Sequence, residues 1–267
     1  MKSQRSQPSY RNPSGSAEHH PAPGTLFLVG SPIGSPDDLT IRAIEVLKRV
    51  SVIAAETPLA VQALLAHHGI SARVTSYSPR NCKEKIAVLL HYLRQGQDIA
   101  LLSDSGMPVI FDPGRLLILA ARKAGCPVTA IPGPSALTTA VALSGFVGDR
   151  IVFEGQLPRT KRLWDDFFTQ FQEELRTMVF FVSSRSLSSI LRSLARIIPR
   201  RPVTLAVNMT RTNERFYQGR PAQLLKQVCS HLHDTEITMV IAGKPRTRRA
   251  KKRARSELKI THRLGAG

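Results

Sequence analysis

Short apolar runs alternate with amphipathic segments along the first half of the chain. Runs of four or five mostly apolar residues predict strands at 25–29, 52–55, 98–102 and 128–131. Between them, apolar residues recur at helical spacing and predict helices at 40–49, 59–67, 83–94 and 113–124. Strands that alternate with helices in this way form a mostly parallel sheet covered by helices.

The pattern changes at Pro132-Gly-Pro134. A helix is predicted at 135–143, and the strands that follow are more closely spaced, at 151–153, 178–182, 203–207, 215–218 and 237–241. Further helices are predicted at 163–171, 187–197 and 221–231. Closer spacing favours hairpins and therefore a mixed sheet. We expect an α/β protein with domains at 24–132 and 133–243, between a disordered polar head (1–23) and a disordered tail (244–267).

The charge of the chain indicates a polyanionic partner. The 267 residues carry 38 Lys and Arg against 19 Asp and Glu, a net charge of +19, and the tail alone holds ten basic residues and one acid. A basic arm of this kind attracts nucleic acid through the release of counterions. The alternative is a solvated tail with no specific partner.

Several classes are disfavoured by what the sequence lacks. No apolar run approaches the roughly 20 residues of a membrane span, and the polar N-terminus does not resemble a secretory signal. Cys82, Cys126 and Cys229 are far apart, which favours neither disulfides nor a metal. There is no Gly-x-Gly-x-x-Gly after the first strand and no Gly-Lys-Ser/Thr phosphate loop. We expect a cytoplasmic protein without a metal, a dinucleotide or ATP.

Three loops rich in Gly, Pro and small polar residues directly follow predicted strands, at 31–38, 103–114 and 131–136. Ligands of open α/β sheets bind at the carboxyl ends of the strands. One such loop alone is more often a simple turn, but three together predict a small-ligand cleft. From the residues alone, the prediction is a ligand cleft between two α/β domains, acting near nucleic acid.

These loops carry a family resemblance. The stretch 28–47 (LVGSPIGSPDDLTIRAIEVL), the loops SDSGMP and IPGPSA, and 153–159 (FEGQLPR) are similar to RNA-methylating members of the tetrapyrrole-methylase (class III) superfamily. The resemblance covers about 24–243. It implies a two-domain tetrapyrrole-methylase-like fold with S-adenosylmethionine between the domains. It further implies a homodimer that methylates the ribose 2′-oxygen of a cytidine in 16S ribosomal RNA, free or in the small ribosomal subunit.

The resemblance also implies cofactor contacts at positions matching the family's motifs. These are Pro32, Ile33, Ser103, Asp104, Met107, Ser135, Ala136, Phe181, Met209 and Thr238. Three charged family signatures are replaced. Glu-Asp-Thr-Arg reads ETPL at 56–59, Tyr-Glu-Ser-Pro-His-Arg reads FVSSRS at 181–186, and Ala-Arg-Glu-Leu-Thr-Lys reads AVNMTR at 206–211. Divergence with compensation, a changed substrate and a non-catalytic RNA-binding relative therefore remain open, as does a small-molecule, tetrapyrrole-like methylase.

Proton removal from a 2′-hydroxyl calls for a positioned base. Glu56, retained from the family signature at the end of a strand, is the first candidate and Asp38 the second. Each has a structural alternative: a helix-capping or hydrogen-bonded carboxylate for Glu56, and a cap of the next helix for Asp38. Asp104 is expected to orient the loop or the cofactor. Arg159, Lys161 and Arg162 are predicted to contact RNA phosphates, the alternative being a solvated loop.

Overall fold

The computed structural model describes residues 22–158, 160–228 and 234–245, apart from the side chain of Lys161. The predicted head and tail therefore lie almost wholly outside the described residues. The first half forms strands β1 (Leu26–Val29), β2 (Val52–Ala55), β3 (Val74–Ser76), β4 (Ile99–Leu102) and β5 (Val128–Ile131). They pair in the order β3-β2-β4-β1-β5, and every pairing is parallel.

Helices cover both faces of this sheet. They are α1 (Ile41–Arg49), α2 (Pro58–His67), α3 (Cys82–Arg94) and α4 (Arg115–Lys123). Strands β2 and β4 are buried along their whole length, with alternate residues in the apolar clusters on the two sides. This burial explains why their sequences are continuous apolar runs rather than alternating ones.

The second half begins with α5 (Ala136–Ser144) and forms a mixed sheet. Its strands are β6 (Ile151–Gln156), β7 (Thr177–Ser183), β8 (Val203–Val207), β9 (Arg215–Gly219) and β10 (Glu236–Ile241). The order is β6-β7-β10-β8-β9, with β6 and β7 parallel and the other pairs antiparallel. The remaining helices are α6 (Trp164–Gln170), α7 (Ser184–Ile197) and α8 (Pro221–Val228).

The two faces of the mixed sheet pack against different partners. One face joins α6, α7 and α8 in a large apolar core, where α7 contributes Leu187, Ile190, Leu191 and Leu194 at helical spacing. The other face packs against α5 and against Ile33, which comes from the loop after β1. The second face therefore meets the loop after β1, and a shared apolar cluster joins the two halves.

The fold class is the predicted one: α/β, with a parallel sheet followed by a mixed sheet. The prediction missed β3, whose three residues are all only partly buried. The C-terminal part of the helix predicted at 221–231 includes residues outside the described part of the chain. None of the helices in the described part is long and apolar enough to span a bilayer.

Candidate functional site

The three loops predicted to form a cleft meet at the carboxyl edge of the parallel sheet. They follow β1, β4 and β5, which are neighbours in the sheet order. The Ser31 hydroxyl donates hydrogen bonds to the carbonyls of Ser103 (3.0 Å) and Gly106 (3.2 Å), and Ser31 and Gly106 form an isolated antiparallel bridge. The loop after β1 therefore supports the loop after β4.

The first and third loops touch through their backbones. A Cβ atom on Gly30 would lie 2.7 Å from the Cα of Gly133 and 2.8 Å from the sulfur of Met107. No side chain fits at a contact of this kind, so glycine is required for packing at position 30. This contact lies two residues before Ser135, the residue that precedes α5.

A cavity of about 590 Å³ lies between the loop edge of the parallel sheet and the mixed sheet. The parallel-sheet side supplies residues of the 105–112 segment and the start of α5, including Met107, Ser135 and Ala136. The mixed-sheet side supplies Phe181 and Thr238. The volume is within the roughly 300–1,000 Å³ range of small-molecule sites.

Strand alternation places Phe181 and Thr238 on the cavity wall. Phe180 and Met239 are buried in the core on the opposite face, whereas Val182 and Ile237 belong to that core and also line the cavity, which reaches the end of the sheet. Thr238 pairs directly with Phe181 across the antiparallel β7–β10 ladder. Thr238 is 4% exposed, and its hydroxyl makes no hydrogen bond within the described part of the chain. A buried hydroxyl that lines a cavity and has no partner is available to a ligand.

Phe111 connects the loop after β4 to the mixed sheet. Its ring centroid lies 6.1 Å from that of Phe181, and a Cβ on Gly155 would lie 3.0 Å from its ring. Val109 and Phe111 both have positive φ angles, 77° and 69°. This conformation is strained for residues with large side chains and persists only where surrounding contacts enforce it. The loop is thus held across the cavity in a defined shape.

Three carboxylates, those of Glu56, Asp104 and Asp112, influence one another electrostatically at this edge. Asp104 accepts hydrogen bonds from the backbone N–H (3.1 Å) and hydroxyl (2.6 Å) of Thr57, the residue before α2. Burial, followed by the charge of Asp104, raises the pKa of Glu56 above its ordinary value.

The pKa of Asp112 is raised to about 6 by burial first and then by the charges of Glu56 and Asp104. Across 22–158, 160–228 and 234–245, no group of three His, Cys, Asp or Glu side chains has an arrangement suited to a metal ion.

The predicted cofactor contacts divide into two groups. Met107, Ser135, Ala136, Phe181 and Thr238 line the cavity. The other five lie behind it or beside it. Ile33 and Met209 are buried in the cluster that joins the two halves, and the Ser103 hydroxyl donates to the carbonyl of Gly106 (3.0 Å). Pro32 is buried, and Asp104 is bonded to Thr57.

Neither candidate base lines the cavity. Glu56 follows β2, one strand beyond β4 in the sheet order. Asp38 ends a short 3-10 helix at Pro36–Asp38, and one oxygen of its carboxylate is buried without a hydrogen-bond partner in the described chain. The predicted alternative, that Asp38 caps the next helix, is wrong. Thr40 is the cap, because its hydroxyl accepts the N–H of Ala43 at 3.2 Å.

The predicted RNA contacts follow Leu157 and Pro158, which line the cavity. Arg162 is exposed in a short 3-10 helix at Lys161–Leu163. Arg159 and the side chain of Lys161 lie outside the described residues. The segment is therefore at the edge of the cavity, and of its three basic side chains only that of Arg162 is described.

Sequence reasoning missed several cavity residues, above all Phe111, Asp112 and Ile237. The sequence predicts that the loop after β4 lines a cleft, but it assigns no role to the second half of that loop, which contains Phe111 and Asp112. The position of Ile237 on the cavity wall depends on the pairing of β10 with β7, which no local pattern in β10 specifies. Both omissions concern positions that depend on contacts between the two halves.

Comparison with known proteins shows which protein family the chain resembles. The sequence profile of the Tetrapyrrole (Corrin/Porphyrin) Methylases matches residues 25–225. Ribosomal RNA small subunit methyltransferase I of Thermotoga maritima is 40% identical over 221 residues, which cover 83% of this chain and 99% of that protein. The protein of the same name from Escherichia coli O157:H7 is 38% identical over 223 residues, covering 82% and 78%.

Solved structures agree on the fold. Cobalt precorrin-4 methyltransferase, a cobalamin biosynthetic enzyme, superposes with a TM-score of 0.63 at 16% identity, covering 82% of this chain and 94% of that one. Uroporphyrin-III-C-methyltransferase from Thermus thermophilus gives 0.56 at 23% identity, covering 82% and 92%. At these identities the likeness concerns the fold alone.

The fold, the cavity and the sequence matches lead to one assignment. Members of the matched family take their methyl group from S-adenosylmethionine, and so does this enzyme. The chain belongs to the tetrapyrrole methylase family of S-adenosylmethionine-dependent methyltransferases, and within it to the group of ribosomal RNA small subunit methyltransferase I proteins.

Proposed function

We propose that this enzyme methylates the ribose 2′-oxygen of a cytidine in 16S ribosomal RNA. The observation that carries the proposal is the 40% identity to a ribosomal RNA small subunit methyltransferase I along 99% of that protein's length. The net charge of +19 supports a polyanionic substrate such as RNA. A small tetrapyrrole substrate would give no reason for so basic a chain. We further propose that the enzyme acts in the cytoplasm, on the RNA or on the small ribosomal subunit.

The cavity residues fit S-adenosylmethionine. At the start of α5, Ser135 makes no side-chain cap, so the first N–H groups of the helix are free to donate toward the cavity. On the opposite wall, the hydroxyls of Thr235 and Thr238 have no partner in the described chain. Phe181 and Met107 add apolar surface for a planar base. Together they offer donors, acceptors and apolar surface to the cofactor's different parts.

The remaining predicted contacts are proposed to act indirectly. Pro32, Ile33, Ser103 and Met209 shape the loops and the apolar cluster that set the width of the cavity. Asp104 holds the loop after β4 against the start of α2. The division into domains at 24–132 and 133–243 stays part of the proposal, with the cavity between them.

The chemistry assigned to the protein is positioning and proton removal. When bound, S-adenosylmethionine supplies a methyl group already activated by a positively charged sulfur. The protein's residues hold the ribose oxygen about 3 Å from that carbon and in line with it, which is catalysis by proximity. A carboxylate near the cavity accepts the hydroxyl proton. Glu56 and Asp38 are the candidates from sequence.

RNA is proposed to approach at the edge marked by Arg162, with Arg159 and Lys161 beside it. Arg162 is exposed and makes no hydrogen bond or ion pair within the described residues. A guanidinium in this state is available to a phosphate. Such contacts position the RNA without reading its sequence.

A homodimer is also proposed. Strand β5 is at the edge of the parallel sheet, with Thr129 and Ala130 exposed. Next to it, α4 exposes Leu116 (44%) and Leu119 (47%). An exposed edge strand beside apolar side chains favours association with a second copy. Light scattering on the purified chain tests this proposal, and a monomer at all accessible concentrations would contradict it.

The function is tested with small ribosomal subunits and bare 16S RNA from a strain that lacks the gene. The enzyme and methyl-labelled S-adenosylmethionine are added, and the product is mapped by nuclease digestion and mass spectrometry. One 2′-O-methylcytidine per 16S RNA is expected. Binding of RNA without methyl transfer would favour the non-catalytic alternative, and transfer to a tetrapyrrole but not to RNA would favour the small-molecule alternative.

A further inference from the structure

We propose that Asp112 is the general base of the reaction, a catalytic residue that accepts the proton of the ribose 2′-hydroxyl. The assignment rests on the proposed function and names the group that performs its proton transfer. Asp112 lies in the loop after β4, in the segment whose Phe111 contacts the mixed sheet. Its carboxylate is thus brought to the cavity from the parallel-sheet side.

Only two carboxylate residues of the described chain line the cavity, Asp112 and Glu236. Glu236 forms an ion pair with Arg211, at 2.7 Å between the carboxylate oxygen and the guanidinium nitrogen. Asp112 forms no hydrogen bond or ion pair within the described residues. Of the two lining carboxylates, Asp112 is the one whose negative charge no cation neutralises within the described residues, which leaves it available to a proton.

The backbone holds Asp112 in a fixed place. Phe111, its neighbour, packs against Phe181 and lies over Gly155, where a Cβ would come within 3.0 Å of the ring. On the other side, Pro113 and Gly114 lead directly into α4. A base fixed at both ends needs little rearrangement to meet its substrate.

The electrostatics suit a base that works near neutral pH. Burial and the negative charges of Glu56, from the end of β2, and Asp104, from the same loop, raise the pKa of Asp112 to about 6. At pH 7 to 8 the carboxylate is still ionised, and it binds a proton about a hundredfold more strongly than an ordinary aspartate. Glu56 then acts as a positioning residue that strengthens the base.

The step balances without any further reactant. The ribose 2′-oxygen bonds to the methyl carbon while the bond from that carbon to sulfur breaks, leaving its electron pair on sulfur. The hydroxyl proton passes to a carboxylate oxygen of Asp112. The products are the 2′-O-methyl ribose, the neutral thioether and a protonated Asp112, which returns its proton to water.

Single-turnover methylation of small subunits across pH 5 to 9 is the first test. For the wild type we expect the rate to fall tenfold per pH unit below about pH 6. Asp112→Asn is expected to lower the rate 10²- to 10⁴-fold and to remove that limb. Glu56→Gln should retain the limb but shift it to lower pH, because a negative neighbour is lost. Asp149→Asn, at an exposed position outside the site, is the control and should match the wild type.

The second test needs neither RNA nor the methyl donor. Carbon-13 NMR of the aspartate carboxyl groups, assigned by comparison with Asp112→Asn, gives the pKa of Asp112 directly. A value near 6 is expected, and a value near 4 would overturn the proposal. Retention of the acidic limb by Asp112→Asn, or its loss in Glu56→Gln instead, would also overturn it. A wild type that methylates no RNA would refute the proposed function instead.

Discussion

The two sides of the cavity are built by different means. The parallel sheet contributes loops that follow its strands, so loop backbone, Gly106 and the carboxylate of Asp112 line the cavity. The mixed sheet contributes the end where β7 finishes and β10 begins, with side chains such as Phe181 and Thr238 on the cavity wall. Loops can carry chemistry because their backbone is not committed to a ladder. Paired strands instead supply a rigid wall, on which single side chains determine what the cavity recognises.

The largest effect is expected where the loop side relies on backbone contact. Gly30→Ala would place a Cβ 2.7 Å from the Cα of Gly133, and neither backbone can yield cheaply. We expect a loss of about 3 kcal/mol in the free energy of unfolding, measured by urea denaturation. Gly148→Ala is the matched control, because its Cβ would meet only Val141 at 3.7 Å. Equal stability of the two variants would refute the close contact.

On the sheet side, Thr238→Val is expected to weaken S-adenosylmethionine binding about fivefold while leaving stability unchanged. The hydroxyl has no partner in the described protein, so its loss costs only a bond to the ligand, about 1 kcal/mol. Thr204→Val is the matched variant, because the Thr204 hydroxyl accepts a hydrogen bond from Gln218 at 3.1 Å. It should lose stability and keep its affinity. If Thr204→Val weakened binding and Thr238→Val did not, the cofactor would bind elsewhere.

Asp112 allows the loop side to be tested through pH. Its pKa is raised from 3.8 to about 6 in the folded protein, so its ionisation opposes folding at high pH. Asp112→Asn is therefore expected to raise the free energy of unfolding by about 1 kcal/mol at pH 8, a figure reduced for partial solvent exposure. The gain should shrink as the pH falls through 6 and vanish near 4. Denaturation at several pH values measures it, and a gain independent of pH would contradict the raised pKa.

The smallest expected effect concerns Asp104 and Thr57, which join two loops by hydrogen bonds of 3.1 and 2.6 Å at an exposed site. A double-mutant cycle with Asp104→Asn and Thr57→Val should give a coupling energy of about 0.5 to 1 kcal/mol. Additive effects would show that the two side chains do not support each other in solution. Affinity for S-adenosylmethionine should change less than in Thr238→Val.

The difference between the two sides also explains what the sequence could predict. Apolar runs and the rule that ligands bind at the carboxyl ends of parallel strands were enough to bring the loops 31–38, 103–114 and 131–136 together. The composition of the opposite wall depends on the pairing of Phe181 with Thr238, which lie on two strands far apart in the sequence. Nothing local specifies that register, and only the family resemblance pointed to these two residues.

Asp112 shows the same limit within a loop. The loop 103–114, which contains Asp112, is recognisable in the sequence. The proximity of Asp112 to Glu56 and Asp104 instead depends on how separate chain segments fold together. Likewise, β3 was missed because Val74, Thr75 and Ser76 are too few and too exposed to form an apolar run. Most helix bounds, by contrast, were predicted closely because the apolar spacing that marks a helix is local, although at α1 Thr40 supplies the cap rather than Asp38.

Calorimetric titration of the purified full-length chain with S-adenosylmethionine tests the central claim most directly, namely that the two sides together form the cofactor site. We expect one site per chain with a micromolar dissociation constant, and weaker binding in Thr238→Val on the sheet side and in Gly30→Ala on the loop side. A wild type that binds no S-adenosylmethionine, or variants of both sides that bind it as the wild type does, would contradict the account.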